Sequence, residues 1–377
     1  MSPRRFAPPR LLLAALALGA LARSSPASAQ APADGGPSEP APQKLPPYHD
    51  TLFFWEHTAS AETVGVGDDV QSTNPTYVMG AGTRARYYLQ DEPIRKISLR
   101  LNAGVYRELT DSDSTTQRGE TTLGDTELAL AYTRRLLGEP EAQTLSLDLR
   151  LPSLLLPTSR ASYQSGRFLG AGVNAGLIHN TPLLKGRFEP ELESTISLNA
   201  GYRRWFARAT VPTNPALELT RMGPDGRSSP TDQLSGSTLV RDELTFVARW
   251  SLVFGERVIW TTDFGLQPAW KYDVDEQVEV CGVVATGCAT VEVGEDDTRY
   301  RLRTQFNTEL SFQIVKWLSL DVGYNNASNQ LGPDGRRRGM FYSPDAQFYA
   351  ALSFIPHELA TSPTKPKAAR AGTSHRF

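Results

Sequence analysis

Ionisable side chains at every second position could line an aqueous passage through this protein. In the stretch RYRLRTQFNTELSFQIV, which begins at Arg299, the residues Arg301, Arg303 and Glu309 share one set of alternate positions. The other set is mainly aromatic and aliphatic, with Phe306 near its middle. Successive side chains of a β-strand point to opposite faces, so the stretch predicts one strand with a charged face and an apolar face. Such a strand fits a soluble sheet with an apolar core, or a membrane barrel whose charged face lines the lumen.

The same two-faced pattern recurs along the chain, and its polar set defines a candidate lumen. Guanidinium and carboxylate groups there could select ions, bind charged solutes, or pair with one another and close the passage. The predicted lumen-lining residues are Arg84, Arg86, Arg100, Asp125, Glu127, Asp148, Arg150, Arg249, Asp263, Arg301, Arg303, Glu309 and Asp321. The opposite set carries no charge near a strand centre, which is expected because Arg or Lys at the bilayer midplane costs about 2–4 kcal/mol.

Small and polar residues interrupt both faces of the predicted strands. Gly170, Gly172 and Gly176 share one inward set, which predicts room for a solute or for the long arginine side chains opposite. Four hydroxyl residues on the apolar set are predicted to face lipid: Ser194, Thr262, Thr304 and Thr308. Five tryptophans near strand ends are predicted to lie at the lipid–water interface: Trp205, Trp250, Trp260, Trp270 and Trp317.

The lengths of the connections decide between the two kinds of sheet. Alternating segments recur from Thr51 to Phe354, and the connections between them are long and short in strict alternation. Outer-membrane barrels have short periplasmic turns, long extracellular loops and an even number of strands. A soluble sandwich has no reason to put every long connection at one end. The sequence therefore predicts an all-β fold, a transmembrane antiparallel up-and-down β-barrel of about 12 strands.

The ends of the chain differ from the barrel in composition. Arg4 and Arg5 precede the apolar run Leu11–Leu21 and a small-residue site ending at Ala29, so residues 1–29 are predicted to be a signal peptide. The Pro-rich residues 30–47 are predicted to be a linker, which could also enter the barrel as a plug. The barrel is predicted over 48–356, ending in a strand of the type that barrel-assembly machinery reads, and 357–377 are predicted to be a disordered tail. These features predict the outer membrane of a Gram-negative bacterium.

Cysteine and histidine are the remaining candidates for chemistry. Cys281 and Cys288 lie close together in an exported chain, which predicts a disulfide that closes a small loop. His57 and His179 lie in predicted strands and could serve a Ser–His hydrolase. No serine with a third orienting group can be placed beside either histidine, and further metal ligands are missing near the cysteines. The sequence therefore predicts no catalytic residue, no metal site and no cofactor.

Three short motifs resemble a known family. One opens a predicted strand, the next ends the following strand, and the third lies in a glycine-rich strand. The motif residues are Gly124 and Asp125, then Leu156, Pro157 and Thr158, then Gly170 and Gly172. They resemble bacterial outer-membrane barrels linked to the meta-pathway of phenol degradation, a family of channels for aromatic or other small apolar compounds. The sequence departs from that pattern between Leu151 and Leu156, where it has extra residues.

Three functions are compatible with these patterns. The first is an outer-membrane channel or transporter for small solutes, which the resemblance implies to be aromatic or apolar. The alternatives are a structural or adhesive barrel that acts through its extracellular loops, and an outer-membrane lipid hydrolase. Expected partners are outer-membrane lipid, the barrel-assembly machinery and a small-molecule solute. A net charge of -2 over 377 residues gives no reason to expect nucleic acid.

Overall fold

The structure is a computed structural model. The residues that it describes are 45–67, 76–110, 119–139, 143–183, 192–208, 210, 219–222, 228–231, 238–255, 257–273, 277–281, 288–292, 299–330, 337–344 and 346–360. The predicted signal peptide, residues 30–44 of the predicted linker and residues 361–377 lie outside this set. Among the described residues, no helix has the length and apolar character needed to cross a membrane.

The described chain is built almost entirely of β-strands, as the alternating pattern predicts. Its elements are β1 (Leu52–Ser60), β2 (Tyr77–Asp91), β3 (Arg95–Glu108), β4 (Thr121–Leu123), β5 (Thr126–Leu137), β6 (Thr144–Leu156), α1 (Arg160–Gln164), β7 (Arg167–Pro182), β8 (Leu192–Ala207), β9 (Leu219–Met222), β10 (Ser228–Thr231), β11 (Val240–Phe254), β12 (Val258–Lys271), β13 (Gln277–Cys281), β14 (Cys288–Glu292), β15 (Tyr300–Val315), β16 (Leu318–Asn329), β17 (Gln347–Phe354) and α2 (Pro356–Ala360).

The main sheet closes on itself as an antiparallel barrel. Its strands follow the order β2-β1-β17-β16-β15-β12-β11-β8-β7-β6-β5-β3, and β2 pairs with β3 to complete the circle. The first strand meets the last in register, with Phe53 opposite Phe354. Strands β4 and β5 both pair with β3, so together they act as one strand interrupted at Gly124 and Asp125. The wall therefore has twelve strands, and the predicted fold class is confirmed.

Connections at the two ends of the barrel differ in length, as predicted. The short ones are 92–94, 138–143, 183–191, 255–257 and 316–317. The longer ones are 61–76, 109–120, 157–166, 208–239, 272–299 and 330–346, and two of them contain the hairpins β9–β10 and β13–β14. This is the architecture of outer-membrane barrels, in which the short turns are periplasmic and the long loops extracellular. The two ends of the barrel are named accordingly below.

The outer surface of the wall is apolar. Exposed side chains on the outward set include Leu99, Leu128, Leu198, Phe246 and Phe264. An exposed apolar surface of this extent destabilises a protein in water, whereas in lipid it is the expected surface of a closed barrel. Closure of the sheet also lets the backbone N–H and C=O groups of the wall bond to neighbouring strands, because the wall then has no unpaired strand edge.

Three of the four hydroxyl groups that are predicted to face lipid have hydrogen-bond partners. The Trp250 indole Nε1 donates a hydrogen bond to Ser194 Oγ over 3.0 Å, and Trp260 Nε1 donates to Thr308 Oγ1 over 3.0 Å. The Thr262 hydroxyl donates to a backbone carbonyl of β15 over 3.1 Å. The fourth, Thr304 Oγ1, is buried and has no partner among the described atoms. Because a hydroxyl without a partner is costly in an apolar medium, these bonds explain how the belt accommodates the first three.

Two predictions at the edges of elements are wrong. Trp205 does not lie at the lipid interface: it is only 6% exposed and packs on the inner face of the barrel. The segment predicted to be a disordered tail begins with α2, in which His357 is buried. Both errors have one cause, since a strand end or a chain end looks the same in sequence whether or not tertiary contacts bury it.

Strand β6 contains the departure from the family pattern. Its pairing with β7 shifts register between Arg150 and Ser153, so Leu151 and Pro152 are both exposed on the outside. Beyond this bulge the inward set changes from even to odd numbers, and Ser153 points inward. A β-bulge inserts extra residues into one strand and bends it. The extra residues noted in the sequence are this bulge.

One extracellular segment lies against the outside of the wall. Residues 337–344, here called the outer flap, place Phe341 against Phe264 and Phe306, with ring centroids 6.1 and 5.1 Å away. Asn326 faces outward beneath the flap and is 0% exposed. Its Nδ2 donates to two flap carbonyls over 3.2 and 2.8 Å, and the flap residue Ser343 donates to its Oδ1 over 2.6 Å. Asn326 therefore anchors the flap.

Replacing Asn326 should release the outer flap. In Asn326→Ala the flap loses three hydrogen bonds of about 1 kcal/mol each, so limited trypsin cleavage at Arg337 and Arg338 should accelerate roughly tenfold or more. The matched control is Asn325→Ala, which changes the neighbouring inward residue. Equal cleavage rates in native protein and Asn326→Ala would contradict the assigned anchor.

Candidate functional site

The inner face of the barrel carries ionisable groups that are held in specific contacts. On β3, β5 and β6, the Arg100 guanidinium donates to the Asp148 carboxylate over 2.9 Å, and the Thr133 hydroxyl donates to it over 2.8 Å. Arg150 Nε lies 3.6 Å from the same carboxylate. The Asp148 side chain is 4% exposed, so two arginines compensate one carboxylate that has little access to water.

A second carboxylate on the same side of the wall is bound by neutral donors. Glu127 accepts hydrogen bonds from Ser153 Oγ over 2.9 Å and from Asn102 Nδ2 over 3.3 Å. The bulge in β6 makes the first of these bonds possible, because without it Ser153 would point outward. Glu127 is thus linked to the wall on both sides of β5.

The opposite side of the wall carries a bidentate ion pair. Arg249 Nε and Nη2 donate to the two oxygens of Asp263 over 2.6 and 2.9 Å, and both side chains are only 6% exposed. The two residues are directly opposite each other on β11 and β12. Two parallel bonds of this kind fix the orientation of both groups.

Two further carboxylates on that side are held by hydroxyl groups. The Tyr349 hydroxyl donates to Glu309 over 2.7 Å, which joins β17 to β15 across β16. Ser353 Oγ donates to Asp321 over 2.8 Å. Both carboxylates are almost fully buried, so the described middle of the barrel presents paired charges rather than free ones.

The periplasmic end is occupied by residues that precede β1 and follow β17. Arg86 donates to the Asp50 carboxylate over 2.9 Å, and the Tyr88 hydroxyl donates to the same carboxylate. His49 stacks on Tyr88 with ring centroids 4.5 Å apart and meets the edge of His357 at 5.9 Å. Burial acts to raise the pKa of Asp50, but the charge of Arg86 and the Tyr88 hydroxyl outweigh it, so the pKa lies below its usual range.

Arg84 has an aromatic neighbour on the first strand. Its guanidinium lies over the ring of Phe54, 5.0 Å from the centroid. The adjacent inward residue Gly82 makes this possible, because a Cβ there would lie 2.6 Å from the Phe54 ring. The glycines of β2 thus make room for side chains of the neighbouring strand.

The first two family-like motifs meet in space. The Thr158 hydroxyl donates to the carbonyl of Gly124 over 2.6 Å. Asp125 accepts from the backbone N–H of Ser159 over 2.9 Å and from the hydroxyl of Ser162, which lies in α1. Asp125 therefore fixes the extracellular connection between β6 and β7, and its role in lining the lumen stays a prediction.

The three inward glycines of β7 lie close to atoms of β8. A Cβ at Gly170 would lie 3.2 Å from Trp205, one at Gly172 would lie 2.4 Å from the backbone carbonyl oxygen of Tyr202, and one at Gly176 would lie 2.2 Å from Asn199. The sequence left open whether this room serves a solute or arginines. In the structure Trp205 and Asn199 occupy it at Gly170 and Gly176, and at Gly172 the neighbouring backbone comes close.

Arg301 and Arg303 belong to a basic group near the extracellular end. The guanidinium groups of Arg167 and Arg203 both lie over the Trp205 ring, 4.6 and 5.5 Å from its centroid. The sequence indicated an inward position for Arg203, since this residue belongs to the inward alternate set of β8. It did not indicate one for Arg167, because a register shift between Arg167 and Leu169 turns that residue inward against the simple alternation.

The two strand histidines do not form a hydrolase site in the described part of the chain. Tyr77 is the hydrogen-bond partner of His57 Nδ1 at 2.8 Å. His179 Nε2 has Gln143 at 2.8 Å and Thr181 at 2.9 Å. Neither histidine has a serine among these partners, so the arrangement needed for a Ser–His nucleophile is not assembled there.

The two cysteines occupy opposite positions in the hairpin β13–β14. Cys281 is the register partner of Cys288. A directly opposed pair on antiparallel strands has the backbone separation that a disulfide requires. The disulfide itself stays a prediction.

Comparison with known proteins finds likeness only among solved structures. No family model matches the chain, and no curated protein matches it. An outer-membrane channel from Pseudomonas putida F1 matches with 9% identity and a TM-score of 0.43, over 84% of this chain and 99% of that one. A mutant of the TodX monoaromatic hydrocarbon channel matches with 12% identity and a TM-score of 0.33, over 81% and 88%. The KdgM porin matches with 8% identity and a TM-score of 0.32, over 80% and 98%. These values are too low to assign a solute.

Removing one partner of the Arg249–Asp263 ion pair should strongly destabilise the barrel. Asp263→Ala leaves a buried guanidinium without its carboxylate, which should lower the free energy of unfolding by about 3–5 kcal/mol. The measurement is urea unfolding in detergent micelles, followed by tryptophan fluorescence. The matched double variant Arg249→Met with Asp263→Leu should lose less, because no charge is left unpaired. A single variant as stable as the native barrel would contradict the pairing.

The lowered pKa of Asp50 predicts a stability difference that depends on pH. A carboxyl whose folded pKa is lowered stabilises the fold above its unfolded pKa, near 3.9, and this stabilisation is lost as pH falls through the folded pKa. Asp50→Asn should therefore be less stable than the native protein at pH 7, and the gap should close below about pH 4. Asp273→Asn, in an exposed ion pair, is the control. A gap that is unchanged from pH 7 to pH 3 would refute the prediction.

Proposed function

We propose that the protein is a channel for small solutes in the outer membrane of a Gram-negative bacterium. The observation that carries the proposal is the contrast between the two faces of one closed wall. Its outer face is apolar, and its inner face carries arginine, aspartate and glutamate on strand after strand. Lipid contacts the outer face, and barrel-assembly machinery inserts the chain.

The inner face favours polar or charged solutes. Aromatic or apolar solutes, which the family resemblance implies, would need an apolar lining to be desolvated. The described inner wall instead places Arg100, Asp148, Arg249 and Asp263 along the path. Paired charges of this kind keep the inner wall polar and limit the size of the solute.

In this proposal the buried ion pairs narrow the middle of the path. Twelve strands lie between about eight, whose interior side chains fill the barrel, and about sixteen, which leave a wide aqueous pore. Paired charges reach inward without leaving a net charge, so they narrow the passage while keeping its wall polar. In this proposal the Arg100–Asp148 and Arg249–Asp263 pairs set the size limit.

The direct test is single-channel recording in a planar lipid bilayer. The mature chain should give discrete conductance steps, and so should a chain that starts at residue 45. Recording both chains separates a closed barrel from one that the Pro-rich segment blocks. Absence of conductance with and without residues 30–44 would contradict the channel function and would favour a structural or adhesive barrel.

Truncating one ion pair should widen the passage. The double variant Arg249→Ser with Asp263→Ser removes both charges of the bidentate pair together, which avoids the cost of breaking it on one side only. Its single-channel conductance should exceed that of the native chain, because two long side chains leave the inner wall. Arg257→Gln, an exposed change in a periplasmic turn, is the control. Unchanged conductance in the double variant would place the constriction elsewhere.

A further inference from the structure

Four arginines converge near the extracellular end of the inner wall. They are Arg167 on β7, Arg203 on β8, and Arg301 and Arg303 on β15, and together they are called here the basic vestibule. In the strand register, Arg203 is opposite Glu243, Glu243 is opposite Ala269, and Ala269 is opposite Arg301. One row across four neighbouring strands thus brings the arginines of β8 and β15 to a common level.

Trp205 holds two of these arginines in place. Its ring centroid is 4.6 Å from the guanidinium carbon of Arg167 and 5.5 Å from that of Arg203. The indole packs in an apolar cluster with Val240 and Ala269 and is 6% exposed. Contacts over an aromatic face occupy the plane of a guanidinium and leave its N–H edges free to donate.

Positive charge is in excess in the basic vestibule. Glu243 lies 3.2 Å from Arg203 and is the carboxylate directly paired with the group. Asp125 also acts on Arg167, but its two oxygens accept from Ser159 and Ser162. Among the described residues, four guanidinium groups therefore face two carboxylates, and one of these carboxylates already accepts hydrogen bonds from Ser159 and Ser162.

Within the described part of the chain, Arg301 and Arg303 have no carboxylate paired with them as the mid-barrel arginines do. The charges that act on Arg301 are those of Arg303, Arg167 and Glu243, so two of the three repel it. The Nε atoms of Arg301 and Arg167 are buried and have no hydrogen-bond partner among the described atoms. Arg303 is exposed toward the inside of the barrel. By contrast, Arg249 has both oxygens of Asp263 within 2.9 Å.

We propose that the basic vestibule is a binding site for small oxyanions, of the carboxylate or phosphate class, at the extracellular entrance of the passage. The proposal rests on the channel function and names the class of solute that it favours. Guanidinium edges match the paired oxygens of a carboxylate or phosphate, and a cluster with excess positive charge raises the local concentration of anions. The paired charges deeper in the barrel then filter by size rather than by sign.

Ion selectivity tests the site in the working channel. In a potassium chloride gradient the reversal potential of the native channel should show preference for chloride, and inorganic phosphate added to the extracellular side should reduce the chloride current. Arg301→Gln with Arg303→Gln should lower the chloride-to-potassium permeability ratio about threefold or more, as expected for loss of roughly 0.7 kcal/mol of attraction. Arg257→Gln, which removes a charge far from the vestibule, should leave the ratio unchanged.

Phosphate binding gives a readout that does not depend on conductance. Equilibrium dialysis of the detergent-solubilised barrel with radiolabelled inorganic phosphate should show binding by the native protein and by Arg257→Gln, and much weaker binding by the Arg301→Gln, Arg303→Gln variant. Phosphate binding without conductance would support the oxyanion site and overturn the channel. Conductance with no anion preference and no phosphate binding would overturn the oxyanion site and leave the channel standing.

Discussion

Pairing of every backbone N–H and C=O within the wall is the constraint on which the rest of this structure depends. The lipid interior offers no hydrogen bonds, so a sheet that crosses it must close. Here closure is made by β1 and β17, whose ladder runs from Phe53 opposite Phe354 to Ser60 opposite Gln347. Once the sheet is closed, side-chain alternation assigns each residue to lipid or to the interior. The division of the wall into a face toward lipid and a face toward the interior therefore follows from the closure of the sheet.

The interior of the barrel accommodates its charged side chains in two different ways. In the middle of the wall, each described carboxylate has donors that match it, as for Asp263 with Arg249 or Asp321 with Ser353. Pairing is required there because an unpaired charge with little access to water is expensive. Near the extracellular end, Arg303 is exposed and the cationic groups outnumber the carboxylates. Water at the entrance lowers the cost of such an excess, so the end of a barrel can carry unpaired charge that its middle cannot.

Much of the fold could be predicted because a membrane barrel repeats one simple rule. Alternation and connection length were enough for the strand number, the closed fold and the inward position of residues such as Arg100 and Asp263. Predictions failed where a tertiary contact or a register shift breaks the rule. Trp205 has the sequence context of an interface tryptophan, but the space at Gly170 admits it to the interior. Arg167 and Ser153 change face through shifts of register, and single-strand periodicity carries no information about a shift relative to a neighbour.

The outer flap has a consequence for how the barrel fits a bilayer. Beneath it, Asn326 and Ser328 face outward and are almost fully buried, and Phe341 is 59% exposed above them. On this sector a loop side chain forms part of the apolar surface that the strands form elsewhere. The surface that lipid meets therefore depends on loop sequence as well as on strand sequence. Because a difference between the hydrophobic length of a protein and the thickness of the bilayer costs fractions of a kcal/mol per Å, a change in loop sequence alone could alter how the protein fits its membrane.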